Sequence, residues 1–88
     1  MVQKDTLVKN RAGLHARPAA LIVQTASQFE STIFIEMGSE KINAKSIMGI
    51  LTMGAGYDTK VVLTAEGPDE QGALDALFAL FESRFEEE

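Results

Sequence analysis

The chain contains no cysteine, so disulfides and thiol chemistry are excluded and a cytoplasmic setting is expected. It also lacks any apolar run long enough to cross a bilayer. No basic segment followed by a long apolar stretch opens it, so neither a secretory signal nor membrane insertion is expected. Histidine occurs once; without thiols, a zinc site would need scattered carboxylates, and no metal or cofactor is expected. Basic charge is scarce: 8 Lys and Arg face 13 Asp and Glu, a net charge of −5 that argues against direct nucleic-acid binding. Repeats, low-complexity tracts and linkers are absent, and 88 residues predict one domain over 1–88.

Acidic residues are missing altogether between Asp5 and Glu30, where Lys9, Arg11 and Arg17 lie. The C-terminal end is the reverse, with Asp69, Glu70, Asp75, Glu82, Glu86, Glu87 and Glu88 against Arg84. The lone histidine, His15, therefore sits in a locally basic stretch of an acidic protein, suited to a phosphate or an acidic partner. It stands in the run Gly13-Leu14-His15-Ala16-Arg17-Pro18-Ala19-Ala20. Gly13 breaks the preceding loop, and Pro18 suits a helix start, where the first N–H groups have no intrahelical partner. Those N–H groups and the positive end of the helix dipole favour an anion.

Val2 to Lys9 reads as a first strand and Asn10 to Leu14 as a loop. A helix is predicted from about Ala16 to Gln28, burying Ala19, Ile22, Val23, Ala26 and Phe29 and leaving Ala20 and Leu21 off the stripe as candidates for exposure. Thr32 to Met37 and Glu40 to Asn43 form a hairpin about Gly38-Ser39. Ser46 is placed to cap a short helical turn through Ile47 to Leu51, and Gly54 to Asp58 is a glycine-containing connector. Lys60 to Glu66 alternates, with Val61, Leu63 and Ala65 facing one way. Gly67-Pro68-Asp69 ends that strand and caps a last helix running to about Phe85, with Ala73, Leu74, Leu77, Leu80 and Phe81 inward and Phe78 and Phe85 widening the face. The order β-α-β-β-α-β-α, with a tight hairpin, predicts an antiparallel sheet carrying helices on one face, the α+β class.

A neutral imidazole has one basic nitrogen that can attack phosphorus. Once the ring is phosphorylated, Arg17 and the helix N-terminus attract the new negative charge, the amide of Ala16 by hydrogen bonding and Arg17 by charge-assisted bonds. Transfer of this kind needs positioning and electrostatic help more than covalent machinery. Two other readings stand beside it: a surface histidine that merely caps, and an acid–base enzyme. The latter wants a second titrating group and a concave pocket, for which the sequence offers no obvious partner.

The His15 motif, taken with Asn43-Ala44-Lys45-Ser46-Ile47-Met48-Gly49, resembles the HPr family, the histidine-containing phosphocarriers of the bacterial phosphoenolpyruvate-dependent sugar phosphotransferase system. The resemblance covers essentially the whole chain in length, element order and both motifs. It implies an open-faced β-sandwich, with a four-stranded antiparallel sheet in the order 1-4-2-3 and three helices on one face. It further implies that His15 accepts phosphate on Nδ1 from phosphorylated enzyme I and donates it to the IIA domains of sugar permeases, with Arg17 holding the phosphate. The Ser46 motif resembles the version that HPr kinase/phosphorylase modifies, after which the phosphoserine form binds the catabolite control protein, a transcription regulator. Ala20, Leu21, Ile47, Met48 and Leu51 would then supply an apolar docking patch. On residues alone, Ser46 reads first as a plain capping serine, and Ile47 and Met48 as core, with one of the two buried.

Ala19-Ala20-Leu21, Asn43-Ala44-Lys45 and Asp69-Glu70-Gln71 also resemble Crh, a regulatory relative of HPr. In Crh glutamine replaces the active-site histidine; here position 15 is histidine, which implies a competent carrier. The alternative that the Crh-like flanks imply is a mainly regulatory protein, a corepressor acting through phosphorylated Ser46.

Overall fold

A computed structural model describes residues 1–86; Glu87 and Glu88, the end of the acidic run, lie outside the described residues. Its elements are β1 (Val2–Leu7), α1 (Ala16–Ala26), β2 (Thr32–Met37), β3 (Glu40–Asn43), α2 (Ile47–Met53), β4 (Lys60–Glu66) and α3 (Glu70–Glu82), followed by a short 3-10 turn at Arg84–Glu86. The four strands form one sheet in the order β1-β4-β2-β3, every neighbouring pair antiparallel. This is the topology that the family resemblance implied.

Register explains which face is covered. Thr6 pairs with Val61, Lys4 with Leu63, and Val2 with Ala65; Ala65 and Leu63 in turn pair with Ile33 and Ile35. Side chains alternate across a strand, so these rows share one face. On it Val61, Leu63, Ala65, Ile33 and Ile35 are buried with Ile22 and Ala19 of α1, Ile50 of α2, and Leu74, Leu77 and Phe81 of α3. Helix α3 packs on β1 and β4, α2 on β3, and α1 on both other helices. The opposite face is open, carrying the Lys60–Asp5 ion pair at 3.2 Å and Lys41 stacked 4.5 Å from the Phe34 ring centroid. Thr64, on that open face between Gln3 and Phe34 in register, is nevertheless buried.

Several element ends differ from the sequence expectation. β1 stops at Leu7 rather than Lys9, because Val8 leaves β4 and pairs with the connector: its N–H donates to Thr59 O at 2.9 Å and its carbonyl accepts from Asp58 N–H at 2.7 Å. α1 ends at Ala26 rather than Gln28, where Gln28 and Phe29 make tighter bonds to Thr25 and Ala26. Val23, Phe29 and Leu80 are half-buried rather than core. α3 ends at Glu82, not Phe85: Arg84, Phe85 and Glu86 all have positive φ, which turns the Phe85 ring back into the core at 4.8 Å from Phe81.

Asp69 precedes α3, but its side chain does not cap it. The carboxylate instead accepts from the N–H groups of Glu30 and Ser31, each at 3.0 Å, and from the Ser31 hydroxyl. Glu70 closes the helix start by accepting from Gly67 N–H at 3.0 Å. The Ser31 hydroxyl foremost holds the Asp69 carboxyl below its ordinary range, and the Gly67 N–H does the same for Glu70.

Candidate functional site around His15

The approach to His15 is built from a closed turn. Gly13 N–H donates to Asn10 O at 3.1 Å, and the buried Asn10 returns its Nδ2 to Gly13 O at 2.7 Å. The same carbonyl accepts from His15 N–H at 3.0 Å, and Leu14 N–H donates to Ala55 O at 2.9 Å, fastening the turn to the connector after α2. Gly13 is required twice over. Its φ is +77°, and a Cβ there would lie 2.7 Å from Ala55 O.

His15 is the extended residue immediately before α1, with φ −87° and ψ −164°, and its side chain is exposed. The first intrahelical bond runs from Ala19 N–H to His15 O at 2.9 Å. Pro18, third in the helix, is buried and has no N–H, so the amides of Ala16 and Arg17 are the helix-start donors left without an intrahelical acceptor. No acidic residue occupies this first turn, in contrast to α3, whose first turn carries Glu70. The end of α1 therefore keeps its positive partial charge, with an exposed imidazole and the exposed Arg17 beside it.

The basic stretch is narrower than the sequence suggested. Lys9 Nζ lies 2.6 Å from Glu82 Oε1, so its charge is answered locally. That bond, before all other contacts, lowers the Glu82 carboxyl from its ordinary value, and the Thr6 hydroxyl adds to it at 3.3 Å. Arg11 and Arg17 remain exposed.

Ser46 does cap α2: its Oγ accepts from Gly49 N–H at 3.0 Å. Gly49 leaves room for this, since a Cβ there would sit 3.2 Å from that oxygen. The core alternative for Ile47 and Met48 is set aside, as they are 41% and 64% exposed; Leu51 is exposed too. Ala20 and Leu21 are half-buried rather than exposed, because α1 packs against α2. The sequence reading missed Asn10, although Asn three residues before Gly is a turn signature. It also missed Lys45, whose ammonium donates to Phe29 O at 2.8 Å, a contact with no local sequence signal.

The profile of the family PTS-HPr, described as "PTS HPr component phosphorylation site", matches residues 2–83. The phosphocarrier protein HPr of Treponema pallidum (strain Nichols) is 54% identical over 88 residues, 100% of both chains. This chain belongs to the HPr family. Within that family it is also similar to the HPr-like protein Crh of Halalkalibacterium halodurans, 51% identical over 82 residues, 93% of this chain and 98% of that one. Among solved structures, HPr-C-His from Thermoanaerobacter tengcongensis matches with a TM-score of 0.96 at 53% identity, covering 100% of this chain and 99% of that one. HPr proteins are phosphocarriers of the phosphotransferase system.

Proposed function

We propose that His15 is the phosphoryl carrier of this HPr protein. The observation that carries the reading is an exposed imidazole immediately before α1, followed by the helix-start amides of Ala16 and Arg17, with the Arg17 side chain also exposed. Phosphorylated enzyme I supplies the group to Nδ1: a new P–N bond forms as the donor's phosphoryl bond breaks. IIA domains of sugar permeases then remove it by the same exchange. The helix-start amides and Arg17 stabilise the added charge without enclosing it. Residues 1–88 act as one cytoplasmic HPr domain, a relay between enzymes and not itself an enzyme. Ile47, Met48 and Leu51, flanked by the half-buried Ala20 and Leu21, form the apolar docking patch.

Ser46 carries a second reading, regulation of the Crh kind, favoured by its place at the cap of α2 and by the similarity to Crh. A phosphate at a helix start is electrostatically favoured, so the fold tolerates HPr kinase/phosphorylase acting there, and the phosphoserine form then engages the catabolite control protein. One labelling experiment separates the two. Enzyme I with labelled phosphoenolpyruvate gives an acid-labile, base-stable phosphate that His15→Ala abolishes. ATP with the serine kinase gives an acid-stable phosphate that Ser46→Ala abolishes. Label that survives His15→Ala in the first arm rejects the carrier reading.

A further inference from the structure

The turn before His15 carries one charged side chain, Arg11, on a pinned backbone. Its ends, Asn10 and Gly13, are joined by both a backbone and a side-chain hydrogen bond, and Asn10 is fully buried. Its two central residues, Arg11 and Ala12, are exposed. The Leu14 N–H bond to Ala55 O then clamps the turn to the connector. A cation carried here has its backbone ordered before any partner arrives, so an encounter pays only for the side chain.

Charge singles out the same residue. Helix α1 holds one charged residue, Arg17, and α2 holds none. Lys9 is bound to Glu82, and the Lys45 ammonium is bound to a backbone carbonyl of the 27–31 segment. Among the described residues neither Arg11 nor Arg17 has a carboxylate partner. The chain as a whole carries −5 and repels an acidic protein at long range. Arg11 and Arg17, four residues before and two residues after His15, are the exposed cations of this stretch that no described carboxylate answers, and at physiological salt, with a Debye length of about 8 Å, such charges act only over short range.

We infer that Arg11 is a steering residue for an acidic partner surface surrounding the phosphoryl group to be exchanged. Arg17 and the helix-start amides face the transferred group; Arg11, from its pinned turn, draws in the anionic rim around it and sets the rate of productive encounter. The inference rests on the carrier role of His15 and adds to it the kind of partner surface the site selects.

The test uses the full chain with enzyme I and phosphoenolpyruvate as donor, across a series of salt concentrations. Arg11→Gln is expected to lower kcat/KM about three-fold at low ionic strength, to leave kcat unchanged, and to converge with wild type at high salt. Arg11→Lys, which keeps the charge, restores most of the loss, and neither variant shifts the thermal midpoint. Wild-type kcat/KM and salt slope in Arg11→Gln overturn the inference. So does a loss confined to kcat, or one that follows a lowered thermal midpoint and is not rescued by lysine. A wild-type chain that takes no label overturns the carrier role, and this inference with it; a labelled wild type beside an indifferent Arg11→Gln overturns this inference alone.

Discussion

Gly13 and Asp58 both occupy the left-handed region, at φ 77° and 68°, and they respond to substitution in opposite directions. Alanine at 13 meets backbone strain and a carbonyl oxygen 2.7 Å from its Cβ, neither of which a flexible side chain can absorb. Gly13→Ala is expected to cost about 2 kcal/mol or more, with a fall in the rate of His15 phosphorylation as the turn shifts. Asp58→Gly removes strain while its N–H still donates to Val8 O, and is expected to add roughly 0.5 kcal/mol. Urea unfolding midpoints check both. The sequence made Gly13 visible as a loop breaker and Gly54 to Asp58 visible as a connector. Their contact was not legible, because nothing local in either segment encodes a partner so far along the chain.

Helix α3 is fastened by carboxylates at both ends. Asp69 and Glu70 at its start and Glu82 at its finish all have carboxyl groups held below their ordinary values by hydrogen bonds. A carboxyl lowered in the folded state stabilises the fold above its unfolded value, and that contribution disappears as pH falls through the folded value. The thermal midpoint is therefore expected to be flat near neutrality and to drop as pH passes below about 4. Asp69→Asn keeps the shape but supplies one acceptor oxygen where three donors converge. It is expected to lower the midpoint at neutral pH and to flatten the acid limb; an unchanged acid limb would count against the assignment. Every strand and helix was legible from alternation, helical spacing and breakers. Their ends were not: β1 gives up Val8 to the connector, and Asp69 leaves its cap to serve Ser31, both decisions made by tertiary contacts rather than local propensity.

At the scale of the whole molecule, one core joins sheet and helices, and the last described residues close it. Phe85 is fully buried against Phe81, but it reaches that position through three consecutive left-handed residues. Removing a core phenylalanine typically costs about 3–5 kcal/mol, and left-handed backbone costs roughly 1–2 kcal/mol per residue. Phe85→Ala frees that segment to relax, whereas Phe81→Ala, within α3, frees nothing. Both variants are expected to be destabilised, with Phe85→Ala the milder; equal unfolding midpoints would show that the left-handed run stores no strain. The sheet order lay beyond alternation and spacing alone. An antiparallel hairpin and an α+β class followed from the residues, but the placing of β4 between β1 and β2 came from the family likeness, since strand neighbours distant in sequence leave no local mark.

The two turns on either side of β3 and α2 differ in how much freedom they leave. At Gly38 an added Cβ would touch nothing, whereas the connector beyond Gly54 is tied to both Val8 and Leu14. Lengthening the hairpin tip leaves the reactive ring where it is. Lengthening the connector drags the ring along, so evolution or an engineer in search of a graft point has open space at the hairpin bend, where the φ of +59° at Gly38 still favours glycine, and almost none at the connector.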